Sequence, residues 1–249
     1  MWRTRLCAAL GACLLAAPAV AECRAEQVEG KGYVICAVDA AADLRLFLND
    51  PETGTLLGSF AGVDGHLAQA GERLAFAMNA GMYHGDRRPV GLYIEDGLEI
   101  APLVTREGPG NFGLLPNGVF CLRDGRAEVI ETLRYAQERP QCRYASQSGP
   151  MLVIDGALHP RFLIDSDSRY VRNGVGTSDD GRAWFVFSDA PVNFHRFGRV
   201  FRDHLGAKQA LYFDGKVSRL YAPGLGRNDL GFPLGPMVGL VVDADTPLD

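Results

Sequence analysis

Downstream of residue 90 the dipeptide Asp-Gly recurs at 96–97, 124–125, 155–156, 180–181 and 214–215, each time between short runs rich in β-forming residues. Two central residues that tolerate positive φ make a tight hairpin turn, so a chain punctuated this way folds back on itself repeatedly as antiparallel strands. The flanks agree. Residues 91–95 face 98–101 across one pair, residues 118–122 face 127–131 across another, and residues 151–154 and 183–187 continue the series. Upstream, residues 33–38 and 44–48 read as two more strands, and residues 74–78 are apolar enough for a strand buried on both faces. Helical spacing is confined to two places. Phe194, Phe197, Phe201 and Leu205 form one stripe, with Asn193 as N-cap and Gly206 as stop, and a short helix is expected over 66–73. The expected class is α+β: largely antiparallel or mixed β-sheets packed with a few helices, in a single domain that no linker divides.

The start of the chain is of a different kind. Arg3 and Arg5 precede an apolar run from Leu6 to Val20 that ends in Ala19-Val20-Ala21. A basic start, a short hydrophobic segment and small residues at −3 and −1 read as a cleaved secretory leader, residues 1–21, ahead of a domain spanning 22–249. The run is too short for a retained membrane span, and no later one is longer. The expected location is therefore periplasmic or secreted. Thirty acidic residues against 25 basic ones, with no Lys/Arg block, give a net charge of −5 and make nucleic acid an unsuitable partner.

Six cysteines are present, of which Cys7 and Cys13 lie in the leader. The remaining four, Cys23, Cys36, Cys121 and Cys142, allow three pairings in an oxidising compartment, and the sequence-local choice is Cys23–Cys36 with Cys121–Cys142. No Cys-x-x-Cys spacing exists and the five histidines are scattered, so no zinc site is implied. Neither a Walker motif nor a dinucleotide fingerprint occurs, and no cofactor is expected. Calcium dependence stays open, because oxygen ligands leave no spacing signature outside EF-hand-like loops.

Four polar, glycine-containing stretches sit between the strands: Asn79-Ala80-Gly81-Met82-Tyr83, Gly110-Asn111-Phe112 with Pro116-Asn117-Gly118, Ser146-Gln147-Ser148-Gly149-Pro150, and Arg172-Asn173-Gly174-Val175-Gly176. Such segments at strand exits let backbone approach a ligand, and they equally supply ordinary turn chemistry. An arginine beside a glycine-rich turn suits an anion bonded twice, such as a phosphate; it equally caps a sheet or pairs with a carboxylate. Ser148 lacks the Gly-x-Ser-x-Gly elbow and has no assignable base, which argues against a serine hydrolase.

Taken in order, these blocks, together with Pro89-Val90-Gly91-Leu92 and Leu211-Tyr212-Phe213-Asp214-Gly215, resemble bacterial members of the phosphodiester glycosidase family. The resemblance spans residues 33–242. It departs from the family pattern at Asn79-Ala80-Gly81, where Asn-Gly-Gly is usual, and at Lys216, where a second glycine is usual; bulk at Lys216 narrows or charges the pocket. The resemblance implies a glycosidase acting on glycosyl phosphodiesters, with Asp214 as nucleophile or base and Arg172 recognising phosphate. It further implies substrate contacts from Asn79, Gly81, Asn111, Gln147, Ser148, Gly149, Asn173, Gly215 and Ser218. Asp189 and Asp179 are candidates for a second carboxylate, whereas Asp86 and Glu95 read as loop and hairpin-face residues. The implied partner is a glycan or sugar phosphate. A non-catalytic protein binding such polymers in the same cleft, and cleavage on the phosphorus side, are the competing readings.

Overall fold

A computed structural model describes residues 22–123 and 125–248. The expected leader with Cys7 and Cys13, and Asp124 of one expected hairpin, lie outside the described residues.

The strands assemble into three sheets whose pairings are antiparallel. The largest has seven strands in the order Glu22–Val28, Lys31–Val38, Ala183–Ser188, Asn173–Thr177, Gln209–Asp214, Met151–Ile154 and Ala157–Leu158. A second runs Arg227–Asn228, Leu220–Ala222, Glu72–Asn79, Met237–Asp243 and Leu44–Phe47. The third runs Leu98–Ala101, Tyr93–Glu95, Tyr144–Ser148, Gly118–Arg123 and Arg126–Glu131.

Each sheet turns one face to a common core and covers the other with one short helix. Phe76 from the second sheet, Phe120 from the third, and Phe185 and Phe213 from the first meet at ring separations of 5.1 to 6.0 Å. Tilted and edge-on pairs at such distances are favoured by the ring quadrupoles, so this cluster fixes how the sheets meet as well as filling the space between them. Outside, Phe197, Val200 and Phe201 pack on the first sheet, Phe60, Val63 and Leu67 on the second, and Tyr135 on the third.

Asp96–Gly97 and Asp155–Gly156 hold φ of 47° and 81° each, the left-handed pair that a two-residue hairpin requires. Asp214–Gly215 does not share this conformation, which matters for the site below. The helix expected over 66–73 lies earlier, at Phe60–Leu67, with Ser59 as its N-cap accepting from the Gly62 amide at 3.0 Å. The helix expected from Phe194 is α-helical only to Arg199 and widens into a π-turn over Val200–His204, with Gly206 at φ 68° ending it. The early runs at 33–38 and 44–48 form strands, but in different sheets. Disulfides join Cys23 to Cys36 and Cys121 to Cys142, the sequence-local pairing.

Candidate active site

In a strand, residues two apart share a face. Along Gln209–Asp214, Leu211 and Phe213 therefore point into the common core, and Tyr212 and Asp214 point the other way. That second face forms part of a cleft of about 580 Å³ whose walls include Met82, Tyr83, Asn111, Tyr170, Asp214 and Lys216. Its size suits a sugar with an attached group.

Asp214 ends its strand. Its Oδ1 accepts from the backbone amides of Gly215 and Lys216, the latter at 2.9 Å, so the carboxylate caps the turn that follows it. The residue is 9% exposed. Burial pushes its pKa above the ordinary carboxylate value, against the opposing pull of backbone amides at Lys216, Gly215 and Val217 and of the Lys216 ammonium.

Behind it stands a buried amide network that joins the first and second sheets. The Asn173 Nδ2 donates to the Asn79 carbonyl at 2.7 Å and to its Oδ1 at 3.1 Å, and the Asn173 Oδ1 accepts from the Asp214 amide at 3.1 Å. Asn79 Oδ1 also accepts from the Arg219 amide at 3.0 Å. Ser218 Oγ donates to the Asp214 carbonyl at 2.8 Å. Asn79, Asn173 and Ser218 thus converge on Asp214 from the protein side and hold the backbone on both sides of it. Gly215 leaves room for Tyr212, since a Cβ there would lie 2.2 Å from the tyrosine hydroxyl.

Arg172 lies directly beneath the cleft floor and is fully buried. Its Nε donates to the Val192 carbonyl at 2.8 Å and its Nη2 to the Ser168 carbonyl at 3.0 Å. The guanidinium rests 3.7 Å from the Phe194 ring centroid, with Tyr212 and Tyr170 at 5.2 and 5.4 Å. No carboxylate pairs with it among the described residues, and Nη1 has no hydrogen-bond partner there. Burial works against its charge, yet arginine is too strong a base to be deprotonated in a protein. The Tyr212 hydroxyl lies beside Arg172 and Asn111; burial pushes it well above the ordinary tyrosine value, with both neighbours pulling the other way.

The remaining expected residues are placed elsewhere. Gln147 uses its whole amide within the fold, accepting from Leu92 and Val104 and donating to the Val104 carbonyl and Thr132. Ser148 donates to the Phe213 carbonyl at 3.0 Å and is fully buried. At Gly149 a Cβ would meet Asn117 at 2.5 Å, and at Gly81 it would meet Ser146 Oγ at 2.8 Å, so both glycines serve close packing. Asp179 pairs with Lys208 on the surface and Asp189 with Arg227, and neither lines the cleft. Glu95, pushed up to about 7 by burial, accepts from Tyr93 in a separate cleft. Among the described residues no group of three His, Cys, Asp or Glu side chains is placed to hold a metal ion. Tyr212 and Tyr170 were not singled out from sequence. The period of two that carries Asp214 also marks Tyr212, whereas Tyr170 lies in an irregular loop with no such signal.

Comparison with known proteins bears on this arrangement. The chain is 35% identical over 152 residues to the uncharacterized protein YigE of Escherichia coli K12, covering 61% of this chain and 59% of that protein's length. In fold it is similar to the catalytic domain of zebrafish N-acetylglucosamine-1-phosphodiester alpha-N-acetylglucosaminidase, auto-inhibited by its pro-peptide, with a TM-score of 0.63 at 11% identity over 91% of this chain and 84% of that one. It is also similar to a hypothetical protein from Synechocystis, with a TM-score of 0.58 at 13% identity over 89% and 62% of the two chains. At such identities the likeness is one of fold. The family model described as Phosphodiester glycosidase matches residues 72–231, more than half of the sequence, and the chain belongs to that family.

Proposed function

We propose that this chain is an exported hydrolase that removes a sugar from a glycosyl-1-phosphodiester of an envelope or extracellular glycan. The observation that carries the reading is the cleft wall itself, where a desolvated carboxylate, Asp214, stands beside Tyr212 above a buried cation, Arg172, that has no counter-ion. The activity named for the zebrafish protein, on an N-acetylglucosamine-1-phosphodiester, supports an N-acetylglucosamine-like sugar. Two disulfides and the leader-like residues 1–21 support export.

The chemistry suits a single carboxylate. Breaking the anomeric C–O bond leaves the electron pair on a phosphate oxygen, and a phosphomonoester, with a second pKa of about 6, departs without a general acid. An ordinary glycoside expels an alkoxide and needs one. Asp214 then attacks the anomeric carbon or takes a proton from the attacking water. The positive field of Arg172 favours the anion that leaves, and its flat, stacked guanidinium is a donor array that lysine does not reproduce. Asn79, Asn173 and Ser218 act through Asp214 by holding its backbone.

The test is release of free sugar from a synthetic alkyl diester of N-acetylglucosamine 1-phosphate. Asp214→Asn is expected to lower kcat/KM by about 10³-fold or more, and Arg172→Ala by about 10²-fold, with the circular dichroism of both variants unchanged. Unchanged turnover in either variant removes that residue from the mechanism, and sugar 1-phosphate as the product overturns the reaction. A second reading, non-catalytic binding of such glycans, is favoured by one observation: Asp214 is the one carboxylate among the residues described as lining the cleft. Polymer binding without product across a panel of diesters would establish it.

A further inference from the structure

The protein is acidic overall, yet the cleft is surrounded by cations. Away from it, several arginines hold carboxylates: Arg45 binds Asp43 and Glu72, Arg199 binds Glu29 and Asp203, and Arg227 binds Asp189 and Asp229, whereas Arg73 and Arg139 form no ion pair among the described residues. Lys216 on the cleft wall, Arg87 and Arg219 behind Tyr83 of that wall, and Arg172 beneath the floor form no ion pair among the described residues. Three of the four gather around one aromatic wall. Arg87 lies over the Tyr83 ring at 5.5 Å, donates to the Gly85 carbonyl, and has a buried Nε without a partner. Arg219, 9% exposed, donates only to the Phe232 carbonyl, with Asp229 nearby but bonded to Arg227 and the Leu220 amide. Arg87 and Arg219 both act electrostatically on Tyr83, and Lys216 stands exposed on the same wall.

Asp214 is the one carboxylate among the described residues lining the cleft, and Asp229, near Arg219, is already bonded to Arg227. A single glycosyl phosphodiester carries one negative charge, which Arg172 already matches. The surplus charge is not neutralised by any carboxylate partner among the described residues, and like charges gathered around one site repel.

We propose that Arg87, Lys216 and Arg219 form a second anion subsite over Tyr83, and that the ligand is a polyanionic glycan with phosphodiesters recurring along its backbone. One phosphodiester sits at Asp214 on the cleft floor, within the field of Arg172 beneath it, while the next occupies the Tyr83 subsite. The substrate class rests on the hydrolase reading above; the subsite does not.

The experiment titrates the full chain calorimetrically with inorganic phosphate and with inorganic tripolyphosphate. The wild type is expected to bind tripolyphosphate at least about tenfold more tightly than phosphate, the gain of one further charge-assisted contact. Arg87→Ala is expected to remove most of that ratio while leaving phosphate affinity in place, and Arg87→Lys to restore part of it. Rising salt is expected to compress the ratio. Equal affinity for the two anions in the wild type, or an unchanged ratio in Arg87→Ala, overturns the subsite. A retained ratio in a protein that cleaves no diester sinks the hydrolase reading and leaves the subsite standing. Cleavage of single diesters with a ratio of one does the reverse.

Discussion

Asp214 differs from Asp96 and Asp155, which also precede glycine, in what its side chain does. At Asp96 and Asp155 the backbone turns through the left-handed region and a hairpin results; at Asp214 the carboxylate itself takes the amides of the next residues and the chain leaves toward Lys216. The same burial that raises its pKa dictates two outcomes. The proposed mechanism needs the ionised form, so kcat/KM should fall as pH drops through a value above the ordinary carboxylate range, and this acid limb should vanish in the residual activity of Asp214→Asn. For stability the sign is opposite. A carboxyl raised in the folded state holds its proton there longer than in the unfolded chain, so stability is lost as pH climbs from the ordinary value through the raised one. Asp214→Asn should therefore unfold at higher urea than the wild type at neutral pH, with the difference shrinking toward pH 4. Gly215→Ala tests the packing: its Cβ would displace the Tyr212 hydroxyl, costing about 1–3 kcal/mol by urea unfolding and abolishing turnover if that hydroxyl orders the site.

At the scale of elements, what sequence patterns made legible was local. Asp-Gly pairs located hairpins because their φ requirement is met within two residues, and the alternation after Gln209 marks the strand that delivers Asp214. The strand Glu22–Val28 was hidden because it is polar and forms a sheet edge, held by its register with Lys31–Val38 and the Cys23–Cys36 bond. The helix Phe60–Leu67 was hidden because Gly62 and Gly65 count against it locally; at Gly62 a Cβ would lie 2.3 Å from the Leu57 carbonyl, so tertiary packing demands the residue that propensity disfavours. Asn79, Asn173 and Ser218 stood out in the sequence as candidate site residues, but their direction did not, because Asn173 and Ser218 meet Asp214 from the protein side and Asn79 braces Asn173, which depends on how two sheets meet. The Cys121–Cys142 bond ties the strand Gly118–Arg123 to the segment beyond the helix Thr132–Glu138, across a sequence separation of 21. Replacing both cysteines by serine should lower stability by about 2–4 kcal/mol in urea unfolding, and added reductant should then have no further effect at that bond.

For the whole molecule, the boundary of the family match does not coincide with a folding unit. Residues 72–231 lack Lys31–Val38, which sits inside the first sheet, and Met237–Asp243, which sits inside the second between Glu72–Asn79 and Leu44–Phe47. A fragment cut to that match would present two open strand edges and a core missing Val34, Val238 and Leu240, and it should be found in the insoluble fraction or as soluble aggregate by light scattering. The pairing of Met237 with Asn79 carries the point further. The strand Met237–Asp243 follows Asn79, Asn173, Asp214 and Ser218 in the chain and closes the sheet on which the amide behind Asp214 is mounted, so synthesis delivers the residues of the cleft before the strand that assembles it. A molecule made only as far as Ser218 has the residues of the candidate site without the site.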